Sequence, residues 1–349
     1  MMRADPHYLA LALQISCRAV NGLSSREASE EVMMRTIAHV GKAIAGAAGF
    51  HGDLALVVLP EYFLTGHPAG ESIPQWRDLA AISMDGPQIE ALGKIAANAN
   101  VYLAGNAYEA DPNFPSIYFQ TSFILNSSGD LILKYRRLIS MYTPSPYDVL
   151  DRYIDTYGED ALFPVIDTPL GKLAAIASEE ILYPEIARCL SMKGAELFTH
   201  SSSEAALKGL SPKNLAKRAR AMENMAYVVS ANSSGIIGGP MLQHSTDACS
   251  QIVDYNGRVI LEAENGESMN IVTEIDMASL RRARKRVGMS NYLARHPTKL
   301  FAQIYANSPS SQLPNGFMSE DGEVNVPERS FFRSRQQNAI ERLEKLGVI

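Results

Sequence analysis

Short apolar segments free of glycine and proline alternate along most of this chain with segments whose apolar residues recur at helical spacing. This alternation is the strongest constraint on its fold, because a buried strand and an amphipathic helix each need an apolar surface to cover. Residues 8–16 (YLALALQIS) read as a buried strand. A helix follows: Ser24 or Ser25 can cap it, Glu27, Glu30 and Glu31 suit its first turns, and Met33, Ile37, Val40 and Ile44 share one face. Residues 53–59 (DLALVVL) form a second buried strand ending at Pro60 and Glu61, and a helix over 87–100 precedes a strand at 101–105. Two hairpins are expected, one turning at Ser127-Ser128-Gly129 and one at Tyr255-Asn256-Gly257. Between them, strands at 172–177, 197–200 and 226–232 alternate with helices beginning near Pro184 and Lys213. The chain therefore belongs to the α/β class with a mixed sheet. Pro297, Pro309, Pro314 and Pro327 mark an irregular tail ending in a helix over 330–346. The expected division is a domain over 1–288 and a C-terminal extension over 289–349 whose aromatics are expected to pack on a neighbouring subunit.

Composition narrows the function. Hydrophobic residues make up 46% of the 349, enough for a large core without staples, and no apolar run approaches the ~18 residues of a membrane span. The net charge of −6 argues against a general nucleic-acid binder. The run RRARKR at 281–286 reads as a solvated or subunit-contacting helix end. Three cysteines without CxxC spacing and seven scattered histidines point to neither a disulfide scaffold nor a metal, so no cofactor is expected. With no signal-peptide pattern, a cytoplasmic location is expected.

Three segments can carry chemistry. Glu61 ends a buried strand, where α/β active sites lie, and suits a general base; alone it reads equally as a salt-bridged or capping residue. In LILKYRR, strand alternation puts Arg137 on the side of Leu131 and Leu133, and Lys134 on the other. In AAIASEEILYPE, Ser178 stands at a sharp strand–turn–helix junction of the kind that exposes a nucleophile, although alone it is as readily a turn residue. Cys189, mid-helix, reads as a core thiol. Tyr62, Trp76 and Tyr147 can line a pocket or simply pack. The loop over 200–208, which includes Ser203, is a candidate for substrate selection.

Taken together, LPEY (59–62), LILKYRR and IASEEILYPEIARCLSMKGAEL resemble, in order, the signature segments of the nitrilase superfamily of carbon–nitrogen hydrolases. VYLAGNAYEA (101–110), RARAMENMAYVVSANSSG (218–235) and IVDYNGRVILEA (252–263) extend the resemblance over roughly residues 8–285. It implies an α-β-β-α four-layer sandwich that pairs into a dimer or larger homo-oligomer. It also implies a catalytic Glu, Lys and Cys acting on amides, N-carbamoyl compounds or nitriles, a small-molecule partner without nucleic acid or membrane. Residue by residue, Glu61 takes the base position. The lysine position holds Arg137, which keeps the charge but cannot shuttle a proton, with Lys134 as its runner-up. The nucleophile position holds Ser178 instead of cysteine. The Glu179 N–H becomes an oxyanion donor, Glu180 an acidic residue organising the turn or touching substrate, and Glu185 a structural one. A further family glutamate falls on Ser145. Two readings stay open: an amidase-type hydrolase present as a low-activity Cys-to-Ser form, or a binding or scaffold protein with a natural Ser178.

Overall fold

The structure, a computed structural model, describes residues 7–204, 211–239, 249–308 and 312–349. Two six-stranded mixed sheets lie face to face. The first runs in the order Met269–Asp276, His7–Gln14, Leu54–Val58, Tyr102–Glu109, Phe119–Leu125, Leu131–Arg136. The second runs Val259–Glu262, Gln251–Val253, Tyr227–Asn232, Leu197–Ser202, Gly171–Ala177, Ile166–Thr168. In each sheet the three central strands are parallel and the outer pairings antiparallel.

Strand alternation separates two cores. Ala10, Ala12, Leu56 and Val58 turn inward and meet Ala175, Ala177 and Val229 of the other sheet. Leu11, Leu13 and Val57 turn outward against Met33, Ile37, Val40 and Ile44 of the helix Arg26–His51, which Ser25 caps, and against Leu92 of the helix Pro87–Ala99. The helices Pro184–Met192 and Pro212–Asn224 cover the second sheet through Ile186, Leu190 and Ala221. The result is the expected four-layer α-β-β-α sandwich. No described helix is long and apolar enough to cross a membrane.

Local signals missed two features. Ser72 and Gln75 form a capping box that starts the helix Ile73–Ala80, too short for its periodicity to stand out. The basic run 281–286 is tied down rather than merely solvated: Arg281 pairs with Glu196 at 2.8 Å, and Arg284 donates to the carbonyls of Met225, Ala195 and Asn224. Part of the tail packs on this chain itself. Phe317 and Phe332 are buried within this chain, in a cluster with Trp76, Phe114 and Tyr153, and Arg335 of the last helix pairs with buried Asp148. Leu300, Ile304 and Tyr305 of the helix Thr298–Asn307 stay exposed.

Gly93 on the helix Pro87–Ala99 crosses the hairpin turn at Gly129 so closely that an added Cβ would lie 2.5 Å from the Gly129 carbonyl oxygen. The neighbour is backbone and cannot rotate away. Gly93→Ala should therefore cost about 1–3 kcal/mol, read as a lowered urea midpoint at unchanged m; an unchanged midpoint would contradict this packing.

Candidate active site

Each of the three segments turns sharply at the end of a buried strand. Beyond Leu54–Val58, Tyr62 adopts φ 61°, which non-glycine residues avoid. The turn is tied to the opposite sheet: the Glu61 N–H donates to the Ser202 carbonyl at 3.2 Å, and Ser201 Oγ donates to the Leu59 carbonyl at 2.8 Å. Glu61 is fully buried. Its Oε1 accepts from Gln120 Nε2 at 2.6 Å, while Oε2 is buried with no hydrogen-bond partner among the described residues.

Arg137 follows the strand Leu131–Arg136 and is buried. Its Nη1 donates to Gln120 Oε1 at 2.7 Å and lies 3.5 Å from Glu61 Oε1, its Nε donates to the Ile139 carbonyl at 2.8 Å, and its Nη2 pairs with Glu179. Desolvation opposes the guanidinium charge, but Glu179 and then Glu61 outweigh it, so Arg137 holds its proton more tightly than usual. Lys134 is not part of this group. On the opposite face of the strand, half exposed, it pairs with Glu109 at 3.1 Å beside Arg136, which binds the same carboxylate. The parity of the strand separates the two candidates.

Ser178 begins a 3-10 turn, Ser178–Leu182, after the strand Gly171–Ala177, at φ 47° and 3% exposed. His200 Nε2 donates to the Ser178 carbonyl at 2.9 Å, with Nδ1 against Ser230 Oγ at 2.8 Å. Burial, helped by Lys217, pushes this imidazole well below its ordinary value, so it is neutral and serves the backbone of Ser178 rather than its hydroxyl. The hydroxyl oxygen instead accepts from Lys213 Nζ at 3.1 Å. The Glu179 N–H belongs to the first turn, whose donors find no partner within the turn itself. Glu180, fully buried, accepts from the N–H groups of Leu138 and Ile139 at 2.7 and 3.0 Å and from Tyr135 Oη at 2.8 Å. It organises the turn that presents Arg137.

A cavity of about 430 Å³ opens above these groups, lined by Tyr62, His67, Tyr108, Arg137, Tyr142, Glu179 and, from the tail, Arg329 and Phe332. Glu61 and Ser178 are not among its lining residues, but their chain neighbours Tyr62 and Glu179 are. Tyr62 lines the cavity, whereas Trp76 packs edge-on against Tyr108. Tyr147 faces a separate cavity with Asp148 and Arg335, its hydroxyl donating to the Gln312 carbonyl at 3.1 Å. Ser203 bonds Ser233 at 2.9 Å, and the rest of its loop, 205–208, lies outside the described residues. Ser145 Oγ donates to Asp148 at 2.9 Å, in a turn over Pro146–Val149, and Glu185 accepts from Tyr305 Oη at 2.6 Å. Cys189 is only half-buried, not a core thiol, and burial raises its pKa.

Two residues of the site escaped sequence reasoning. Gln120 bridges Glu61 and Arg137; it stands in the polar run Gln120-Thr121-Ser122 of the strand Phe119–Leu125, where nothing marks it from its neighbours. Lys213 enters from the first turn of the helix Pro212–Asn224, which Ser211 caps, and nothing in its local sequence separates it from a surface lysine.

The family description "Carbon-nitrogen hydrolase" matches residues 19–285. The omega-amidase NIT3 of Saccharomyces cerevisiae is 27% identical over 68% of this chain and 80% of its own length. A formamidase of Helicobacter acinonychis is 27% identical over 65% of this chain and 63% of its own. Among solved structures, an amidase from Nesterenkonia sp. AN1, with the acetamide moiety of fluoroacetamide covalently added at its active-site cysteine, superposes with a TM-score of 0.61 at 18% identity. That superposition covers 87% of this chain and 98% of the other, and shows a shared fold.

Desolvation, opposed by Arg137 and by the Tyr135 and backbone donors, leaves the Glu180 carboxyl pushed up to about 7. The folded state therefore binds a proton that the unfolded chain has released above its ordinary carboxylate value. The stability gained from protonated Glu180 is full below that value and is lost as pH rises to about 7. Wild type should weaken relative to Glu180→Gln across this interval, by up to ~1.4 kcal/mol per pH unit. Denaturation of both proteins from pH 4 to 8 checks this, and a constant difference would refute it.

Proposed function

Because the chain belongs to the carbon–nitrogen hydrolase family, we propose that it hydrolyses a small amide or N-carbamoyl compound, with nitriles the poorer class, through a covalent acyl-enzyme on Ser178. The observation that carries this reading is that Arg137 joins Glu61, whose Oε2 is buried and unpartnered among the described residues, to Glu179, the residue after the strained Ser178. Such an oxygen has nothing to give up when it takes a proton. The names of the relatives, omega-amidase, formamidase and amidase, support small amides, and the acetamide adduct on the Nesterenkonia cysteine supports a covalent nucleophile in this fold.

In this reading Ser178 Oγ attacks the amide carbon and Glu61 takes its proton. Arg137 and the Glu179 N–H meet the oxyanion, and Glu61 returns the proton to the departing amine. Water then repeats the step on the acyl-enzyme and releases the acid. Arg137 serves as a fixed charge and Lys134 has no part. Tyr62 lines the substrate cavity, and Glu180 positions Arg137 from behind. A hydroxyl has almost no anionic fraction near neutral pH, so this is a slow form of a chemistry usually run by a thiol. No metal or organic cofactor enters the scheme. No disulfide joins Cys17, Cys189 and Cys249, which suits a reducing, cytoplasmic setting.

Ser178→Cys should raise kcat strongly on some member of a panel of linear amides, N-carbamoyl amino acids and nitriles, with KM changed only a few-fold, read as released ammonia. Adding Glu61→Gln should then cost about 10²–10⁴-fold. Ammonia released by neither the Ser178 protein nor Ser178→Cys from any compound would remove the hydrolase reading in favour of a binding protein on this fold, and full activity without Glu61 would remove the base assignment.

We also propose a homo-oligomer, since Leu300, Ile304 and Tyr305 are 61%, 65% and 64% exposed on one short helix, which a second copy would cover. Light scattering at micromolar concentration should report at least a dimer; a monomer would sink the idea.

A further inference from the structure

The contact between Lys213 and Ser178 changes what the serine can be. Lys213 Nζ donates to Ser178 Oγ at 3.1 Å and pairs with Glu204 at 2.8 Å, with 14% and 7% of the two side chains exposed. The geometry is anchored at each end. Lys213 rides on the first turn of a helix whose cap, Ser211 Oγ, accepts from Asn214 N at 3.2 Å and whose Ala216 and Ala221 are buried against the second sheet. The Glu204 N–H donates to Asn232 Oδ1 at 3.0 Å. Ser178 is held from the other side by His200 on its carbonyl, which leaves Oγ free to face the ammonium. Arg137, already committed to Gln120, Glu179 and Ile139, does not supply this contact.

We infer that Lys213 is a catalytic residue of a native serine nucleophile: its ammonium, neutralised by Glu204, stabilises negative charge on Ser178 Oγ. The inference rests on the acyl-transfer reading above and deepens it, since the serine then has its own activating group and is not merely a disabled cysteine. In acylation the Oγ–H bond breaks toward Glu61 while the Oγ–C bond forms, Lys213 donates to the oxygen as charge builds on it, and the C–N bond then breaks as Glu61 gives its proton to the departing ammonia or amine. In deacylation water adds to the acyl carbon and gives its proton to Glu61. The Oγ–C bond then breaks, Oγ leaves with its electron pair onto the Lys213 N–H, and the Glu61 proton restores the hydroxyl. The ammonium keeps its protons throughout, so the step needs no co-reactant. A fixed cation 3.1 Å from the reacting oxygen, in a largely dry site, acts far more strongly than the same pair in water.

The test reads the charge at residue 178 independently of turnover. In Ser178→Cys, the pH dependence of iodoacetamide alkylation, followed by peptide mass spectrometry, gives the titration of the introduced thiol. Adding Lys213→Met should shift that titration upward by about one pH unit or more, roughly tenfold less thiolate near neutral pH. Lys213→Gln, which keeps length and polarity, should do the same, and Lys213→Arg should restore most of the effect. In the Ser178 protein, labelling by a fluorophosphonate, which forms an Oγ–P bond and expels fluoride, should slow by at least tenfold in Lys213→Met. A thiol titration unmoved by both neutral variants, or labelling unchanged, would overturn the inference. A shifted thiol in a protein that releases ammonia from no amide would keep the cation and discard the hydrolase reading, so the two failures stay distinct.

Discussion

The buried guanidinium of Arg137 is the interaction on which the rest of the site depends. A charge this enclosed survives only if its donors are matched, since removing one partner of a buried pair commonly costs about 3–5 kcal/mol. Its matches come from three segments: Gln120 on the strand Phe119–Leu125 with the Glu61 turn behind it, the Ile139 carbonyl, and the Glu179 turn beside Ser178. Satisfying one cation therefore fixes the relative positions of the proposed base and the proposed nucleophile. Those turns end strands of both sheets, so the site closes only when the two sheets are packed face to face.

The backbone carries part of the same load. Tyr62 and Ser178 both adopt left-handed φ, and each sits where a strand stops and a site residue must face inward. The strain is held by contacts that cross between segments: the Glu61 N–H on Ser202, Ser201 on Leu59, and neutral His200 on the Ser178 carbonyl. His200 is a useful contrast with the serine hydrolases. An imidazole stands within reach of the serine residue but is spent on its carbonyl, and a lysine takes the place at the hydroxyl.

The tail joins the site by a route that local patterns do not reveal. Phe317 and Phe332 enter the aromatic cluster around Trp76, Arg335 pairs with Asp148, and Arg329 and Phe332 thereby wall the cavity beside Arg137. A proline-rich segment of that kind shows neither a period of two nor of 3.6, so its aromatics read as unplaced until the surface that receives them is known.

What the sequence determined by itself was everything set by short-range pattern. Strand and helix order followed from the spacing of apolar residues, and the inward side of Arg137 against the outward side of Lys134 followed from strand parity. Glu61 and Ser178 were legible because each is the first polar residue after a buried strand. Tertiary structure alone decided which distant side chains answer them. Gln120 lies 59 residues from Glu61, and Lys213 lies 35 from Ser178. Their positions depend on how two sheets and a covering helix dock. Docking is set by the summed complementarity of many apolar contacts, none of which marks a particular lysine or glutamine in advance.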